Sequence, residues 1–115
     1  MTEAADCLFC RIVAGEIPAE IVHATDDVVA FRDVAPQAPT HVLVVPRQHH
    51  RDIATLASAD PDLAGRLMAG AAEVAAALEL PEFRLVLNTG ASAGQSVFHV
   101  HAHVMAGRPF GWPPG

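Results

Sequence analysis

Residues 98–105, FHVHAHVM, place a histidine at every second position of an otherwise apolar run. Side chains of an extended strand alternate between its faces, so His99, His101 and His103 share one side while Val100, Ala102 and Val104 share the other. The segment 97–106 therefore reads as a long strand with its chemistry confined to one face.

Imidazole has a reference pKa of about 6.5, so a neutral ring is available near physiological pH as a nucleophile or base. Three protonated rings spaced roughly 7 Å apart would be a costly cluster of positive charge, which makes an anionic ligand, or a metal bound through neutral rings, the natural counterpart. The preceding loop, NTGASAGQS, brings backbone N–H groups around Gly90 and Gly94 and the hydroxyls of Thr89, Ser92 and Ser96 to the start of this face, as a phosphate would require. The plainer alternative is an exposed strand face, or a single buried ring with a satisfied hydrogen bond. Collinear histidines on one strand rarely converge on a tetrahedral ion without help from another element.

The chain has 115 residues, which fits a single domain spanning 1–115. Apolar residues make up 51% of it, far from a disordered composition. Seven Lys plus Arg against thirteen acidic residues leave a net charge of −6 with no basic tract, which argues against nucleic acid as a partner. The N-terminal MTEAAD is acidic and unlike a secretory signal, and no stretch approaches the ~20 apolar residues that span a bilayer, so the expected location is cytoplasmic, away from membranes. The two cysteines, in CLFC, suit a metal half-site, a redox pair or two small buried side chains.

Along the chain, CLFCRIV predicts a short helical element broken by Gly15 and Pro18, and EIVHA and DVVAFRD predict a hairpin turning at Asp26 and Asp27. A third strand runs from about Thr40 to Val45 and ends at Pro46. Leu63, Leu67, Ala71, Val74 and Leu78 recur at helical spacing, predicting a helix over 60–80 with Asp60 as N-cap, Pro61 at its first position and Pro81 beyond its end. FRLVLN predicts a strand, TGASAGQS a loop, and 106–115 an irregular tail. Strands on both sides of one long helix define an α+β class with a mostly antiparallel sheet.

HVHAHVM, from His99 to Met105, resembles the motif of the histidine triad superfamily, His-φ-His-φ-His-φ-φ with φ apolar, at every position. DVAPQAPTHVLVVPRQH, LVLNTGASAGQSVFHVHAHVMAGR and the terminal WPPG resemble its nucleotide-binding branch, the purine nucleoside phosphoramidases, and the likeness runs from Cys7 to Gly115. It implies a HIT-like fold of about five antiparallel strands, one long helix and a short N-terminal helix. It also implies hydrolysis of purine nucleoside 5'-phosphoramidates to a nucleoside monophosphate and an amine. In that chemistry His101 would attack phosphorus and form a covalent nucleotidyl-histidine, oriented by the backbone carbonyl of His99. His103 and His41 would manage the phosphate charge, and Ser96 would stand near the leaving group. Asn88 and Gly94 would contact phosphate and ribose, Asp33 the ribose hydroxyls, and Phe9, Ile12, Phe31, Val34 and Val42 the purine.

The same likeness implies a structural Zn2+ held by Cys7, Cys10, His49 and His99, with His50 a rival for the third position, and no catalytic metal. It implies a homodimer in which the tail approaches the partner's active site, making Trp112 a leaving-group contact. The helix face from Leu63 to Leu78 and the strand near Phe98 are the expected interface, or else monomer core. Two rival functions are a dinucleoside polyphosphate hydrolase, which shares the covalent histidine, and a nucleotide-binding regulatory or adaptor protein with little catalysis.

Overall fold

A computed structural model describes residues 6–115. Most of the MTEAAD stretch discussed above, residues 1–5, lies outside the described residues. The elements are α1 (Leu8–Val13), β1 (Ile21–Ala24), β2 (Val28–Arg32), β3 (Thr40–Pro46), α2 (Ile53–Ala59), α3 (Pro61–Ala77), β4 (Arg84–Val86), a 3₁₀ turn (Ala91–Ala93) and β5 (Ala102–Ala106). The strands form one antiparallel sheet in the order β1-β2-β3-β5-β4. This is the expected α+β, HIT-like architecture, with one long helix and a short N-terminal one.

The period-2 alternation of the strands sorts the core into two halves. On one face Val28, Ala30, Val42, Val44, Val100, Ala102 and Val104 pack against Leu63, Leu67, Ala71 and Val74 of α3. On the other, Phe9 and Cys7 cover Val29, Phe31, Leu43 and Val45. The approach of α3 is close: a Cβ on Gly70 would stand 2.8 Å from Val28 Cγ2. The helix face considered for a subunit interface is thus monomer core. Phe98 lies instead under the guanidinium of Arg51, 4.4 Å from its ring centre.

Helix α3 starts as its caps predict, with Asp60 Oδ1 accepting from the Leu63 N–H at 3.1 Å and Pro61 in the first turn. It stops at Ala77 rather than near Leu80, because Glu79 adopts a left-handed φ of 56°. Helix α2 was not foreseen, although its capping box was in view: Asp52 Oδ1 accepts from the Thr55 N–H at 2.8 Å, and Thr55 Oγ1 accepts from the Asp52 N–H at 3.2 Å.

Two strands are shorter than predicted. β4 keeps three residues of FRLVLN, and β5 begins at Ala102 rather than near Val97. The β3–β5 register ends at Val44 opposite Ala102. Extended by two further pairs, it would set Val45 against His101 and then Pro46, which has no N–H to donate, against Val100. The Val100 N–H goes sideways to the His50 carbonyl instead, at 2.8 Å.

Candidate active site and metal centre

The Phe9 side of the sheet carries the histidines. His99 and His101 meet the Phe9 ring edge-on, with centres 6.1 and 5.0 Å away, and His103 follows at 4.9 Å from His101. A cavity of about 300 Å³ opens beside them. Its lining includes Phe9, Ile12, Phe31, Asp33, Val34, Ser96, His101 and His103 from the expected set, together with Leu43, Val97 and the Ile17–Ala19 turn, which were not foreseen. Phe9 and Phe31 pack edge to face, 5.4 Å between centres, and form its aromatic wall.

Val42 does not belong to this wall. It is wholly buried on the α3 side, and its neighbour Leu43 lines the cavity in its place, because one step along a strand reverses the face. Asn88 and Gly94 are not among the cavity's lining residues and lie near one another: a Cβ on Gly94 would sit 3.5 Å from Asn88 Nδ2. Gly94 closes the 3₁₀ turn with a φ of +102°, which favours glycine. Trp112 is 85% exposed, and the tail is held near β4, where Arg84 donates to the Gly111 carbonyl at 2.9 Å and Arg84 and Arg108 lie over the Phe110 ring.

Backbone partners settle the ring protons. The His101 Nδ1–H donates to the His99 carbonyl at 2.9 Å, so in the neutral ring Nε2 keeps its lone pair. Burial lowers the His101 pKa and keeps that form populated, the bond to the His99 carbonyl and the charge of Asp33 opposing in part. His41 is arranged the opposite way. The Gln37 N–H donates to its Nδ1 at 3.0 Å, so its proton is on Nε2, 2.9 Å from His103 Nδ1 and 3.4 Å from Asp33 Oδ2. His103 then accepts at Nδ1 and carries its own proton on Nε2. Burial, followed by repulsion from His101 and His41, pushes its pKa down to about 4. One face thus presents an unprotonated nitrogen on His101 and an N–H donor on His103.

Cys7, Cys10, His49 and His99 bring two sulfurs and two ring nitrogens within 4.8 Å of one another. Cys7 Sγ and Cys10 Sγ are 3.4 and 3.5 Å from His99 Nδ1, Cys10 Sγ is 3.4 Å from His49 Nδ1, and the two Nδ1 atoms are 3.2 Å apart. Tetrahedral zinc, at about 2.3 Å from sulfur and 2.0–2.1 Å from nitrogen, sets its ligands about 3.3–3.8 Å apart, so the donor set fits such an ion. His99 Nε2–H donates to the Pro46 carbonyl at 2.8 Å, which leaves Nδ1 free to act as a ligand atom. Burial lowers the His99 pKa to about 4, and burial beside Cys7 raises the Cys10 thiol to about 11, the state that a cation would reverse. His50 turns away to Gln48, at 3.1 Å, and is not in the quartet.

Five antiparallel strands and three alternate histidines at the start of β5, two of them lining a cavity, define a histidine-triad protein. Residues 14–110 match the model of the HIT domain, and the chain belongs to that family. It is 49% identical over 113 residues to an uncharacterised HIT-like protein of Synechocystis, covering 97% of this chain and 99% of that one. It superposes with a TM-score of 0.90 on the crystal structure of a HIT family hydrolase from Legionella pneumophila, at 43% identity and with 96% and 100% of the two chains covered. A histidine triad nucleotide-binding protein from Candida albicans is similar at a TM-score of 0.81 and 30% identity, over 94% of this chain and 83% of that one. No helix among the described residues is long and apolar enough to cross a membrane.

Proposed function

We propose that the protein hydrolyses purine nucleoside 5'-phosphoramidates through a covalent nucleotidyl-His101. The observation that carries this reading is the 2.9 Å bond from His101 Nδ1–H to the His99 carbonyl, which leaves Nε2 as a nucleophile on a side chain that lines the cavity. The likeness to a HIT family hydrolase and to a histidine triad nucleotide-binding protein supports it.

His101 Nε2 bonds to phosphorus as the P–N bond breaks. The departing amine takes a proton, for which the Ser96 hydroxyl and the His103 Nε2–H are donors lining the cavity. His41, hydrogen-bonded to His103, shares the charge. Water then attacks phosphorus and gives its proton back to the donor that protonated the amine, the His101–phosphorus bond breaks with its electrons returning to Nε2, and the nucleoside monophosphate leaves with His101 restored. Asp33 accepts the ribose hydroxyls, and the Phe9–Phe31 wall, with Ile12 and Val34, takes the purine.

Cys7, Cys10, His49 and His99 hold a structural Zn2+, which would tie α1 to the loop after β3 and to the histidine strand; the displacement at phosphorus needs no metal. The protein works in the cytoplasm, a reducing compartment suited to its free cysteines, as a homodimer whose exposed Trp112 reaches the partner's leaving group.

Intact-protein mass during a short incubation with adenosine 5'-phosphoramidate, quenched without acid, tests the proposal. A transient AMP-sized adduct on wild type, absent from His101→Ala and followed by AMP release, is expected. A folded wild type that forms neither adduct nor AMP overturns it, and turnover confined to diadenosine polyphosphates would move the substrate class.

A further inference from the structure

The nucleophile stands where the sheet no longer holds the chain. Ala102 is the last β5 residue paired with β3, so the stretch from Gln95 to His101 lies outside the ladder. It is tied instead to the last residue of β3 and the segment that follows it. The Pro46 carbonyl accepts from His99 Nε2 at 2.8 Å, the His50 carbonyl from the Val100 N–H at 2.8 Å, and the Arg51 carbonyl from Gln95 Nε2 at 2.7 Å.

Gln95 is only 4% exposed, although it sits in a loop whose neighbours are open to solvent. Its Oε1 accepts from the Gly90 N–H at 2.8 Å, while its Nε2 donates to the carbonyls of Arg51 at 2.7 Å and Val97 at 3.1 Å. A donor at one end and two acceptors at the other allow a single orientation of the amide. The Gln95 N–H also donates to the Gly90 carbonyl, at 3.1 Å, closing the turn. The next two residues, Ser96 and Val97, line the cavity. Three bonds from one buried side chain therefore lock the loop, its exit and the segment after β3 together.

We propose that Gln95 is a positioning residue for the reaction. It sets Ser96 at the cavity and holds the approach to His99, whose carbonyl fixes the His101 tautomer. The role in turnover rests on the covalent-histidine function proposed above. Removing the amide leaves the Gly90 N–H and two carbonyls without their partner, and the loop shifts to find others.

The test compares Gln95→Met, which keeps bulk but no hydrogen bonds, and Gln95→Asn, one methylene too short to reach both ends, with Leu67→Ala, a cavity on the α3 side of the core. The readouts are kcat and KM for AMP formation from adenosine 5'-phosphoramidate and the His101 tautomer from ¹⁵N-resolved NMR. A displacement on the 1 Å scale is expected to lower kcat about tenfold to a hundredfold in both Gln95 variants, with KM changed less than about threefold. His101 is expected to pass from one Nδ1–H tautomer to a mixture. Leu67→Ala should lower the melting temperature yet keep kcat and tautomer.

A folded Gln95→Met or Gln95→Asn with wild-type kcat and a single tautomer overturns the proposal, as does an equal loss of kcat in Leu67→Ala. If wild type forms no AMP, the phosphoramidate function fails by itself. The tautomer then decides: a mixture in either Gln95 variant upholds the positioning role, and an unchanged ring overturns it.

Discussion

Two clusters of similar composition sit on the same face of the sheet and are prepared for opposite chemistry. Cys7, Cys10, His49 and His99 form one, and Asp33, His41 and His103 the other; in each, the possible ligand atoms lie within 4.8 Å of one another. A metal needs ring lone pairs directed at a common point. In the first cluster the Pro46 carbonyl takes the His99 Nε2–H and leaves Nδ1 bare toward the thiols. In the second the Gln37 N–H occupies His41 Nδ1, so the nitrogen facing His103 and Asp33 carries the proton. One backbone carbonyl and one backbone N–H thus separate a cluster able to take a metal from a hydrogen-bonded pair of rings, and proximity of donors alone does not distinguish them.

The largest effect is expected at the residue between the clusters. His101→Ala should abolish the adduct and lower AMP formation by at least about a thousandfold, measured in single turnover, since no other group replaces a covalent nucleophile. His103→Gln, which loses the proton-handling function, should lower kcat about a hundredfold while the slow adduct remains visible by mass. Asp33→Asn should act mainly on binding, raising KM about tenfold as a charged acceptor for the ribose becomes a neutral one. Replacement of Cys7 and Cys10 together by serine should remove one bound metal per chain, measured by elemental analysis, and lower the melting temperature by several degrees. The same pair of changes should alter kcat less than His103→Gln does.

The smallest effect is on stability against pH. His103 titrates at about 4 in the folded chain, and His101 is also lowered, against about 6.5 when unfolded. As pH falls from about 6.5 toward 4 the unfolded chain takes up protons that the folded one does not, so stability declines over that window. Below it both states are protonated, and these groups contribute no further change. Urea unfolding at a series of pH values should show the decline, and His103→Gln should flatten it; a stability that rises on acidification through this range would contradict the buried neutral rings.

Much of the site was legible because it is short-range. The alternation of His99, His101 and His103 reports face directly, and Asp60-Pro61 followed by leucines at helical spacing reports α3. Other features depended on partners distant in the chain. β5 begins late because Pro46 stands two register positions beyond Val44, and neither Pro46 nor Val100 announces that pairing locally. Val42 and Leu43 are both apolar residues of one buried strand, so only the sheet's two coverings show which of them meets the cavity. Gln95 reads as a loop polar residue until Arg51 and Gly90 are brought against it. The helix face expected to meet a partner is covered by β2, β3 and β5 of its own chain.

The α+β class, the strand face that bears the histidines and the identity of the residues able to act as nucleophile or ligand were readable along the chain, since period and side-chain chemistry are local properties. Apart from the His99 carbonyl that the family likeness implied for His101, it took the folded chain to fix which nitrogen of each ring carries the proton. That choice belongs to the backbone group facing the ring: His99 O for His101, Gln37 N for His41 and Pro46 O for His99. A hydrogen-bond partner 53 residues away, as Pro46 is from His99, is set by folding rather than by any neighbour in the chain.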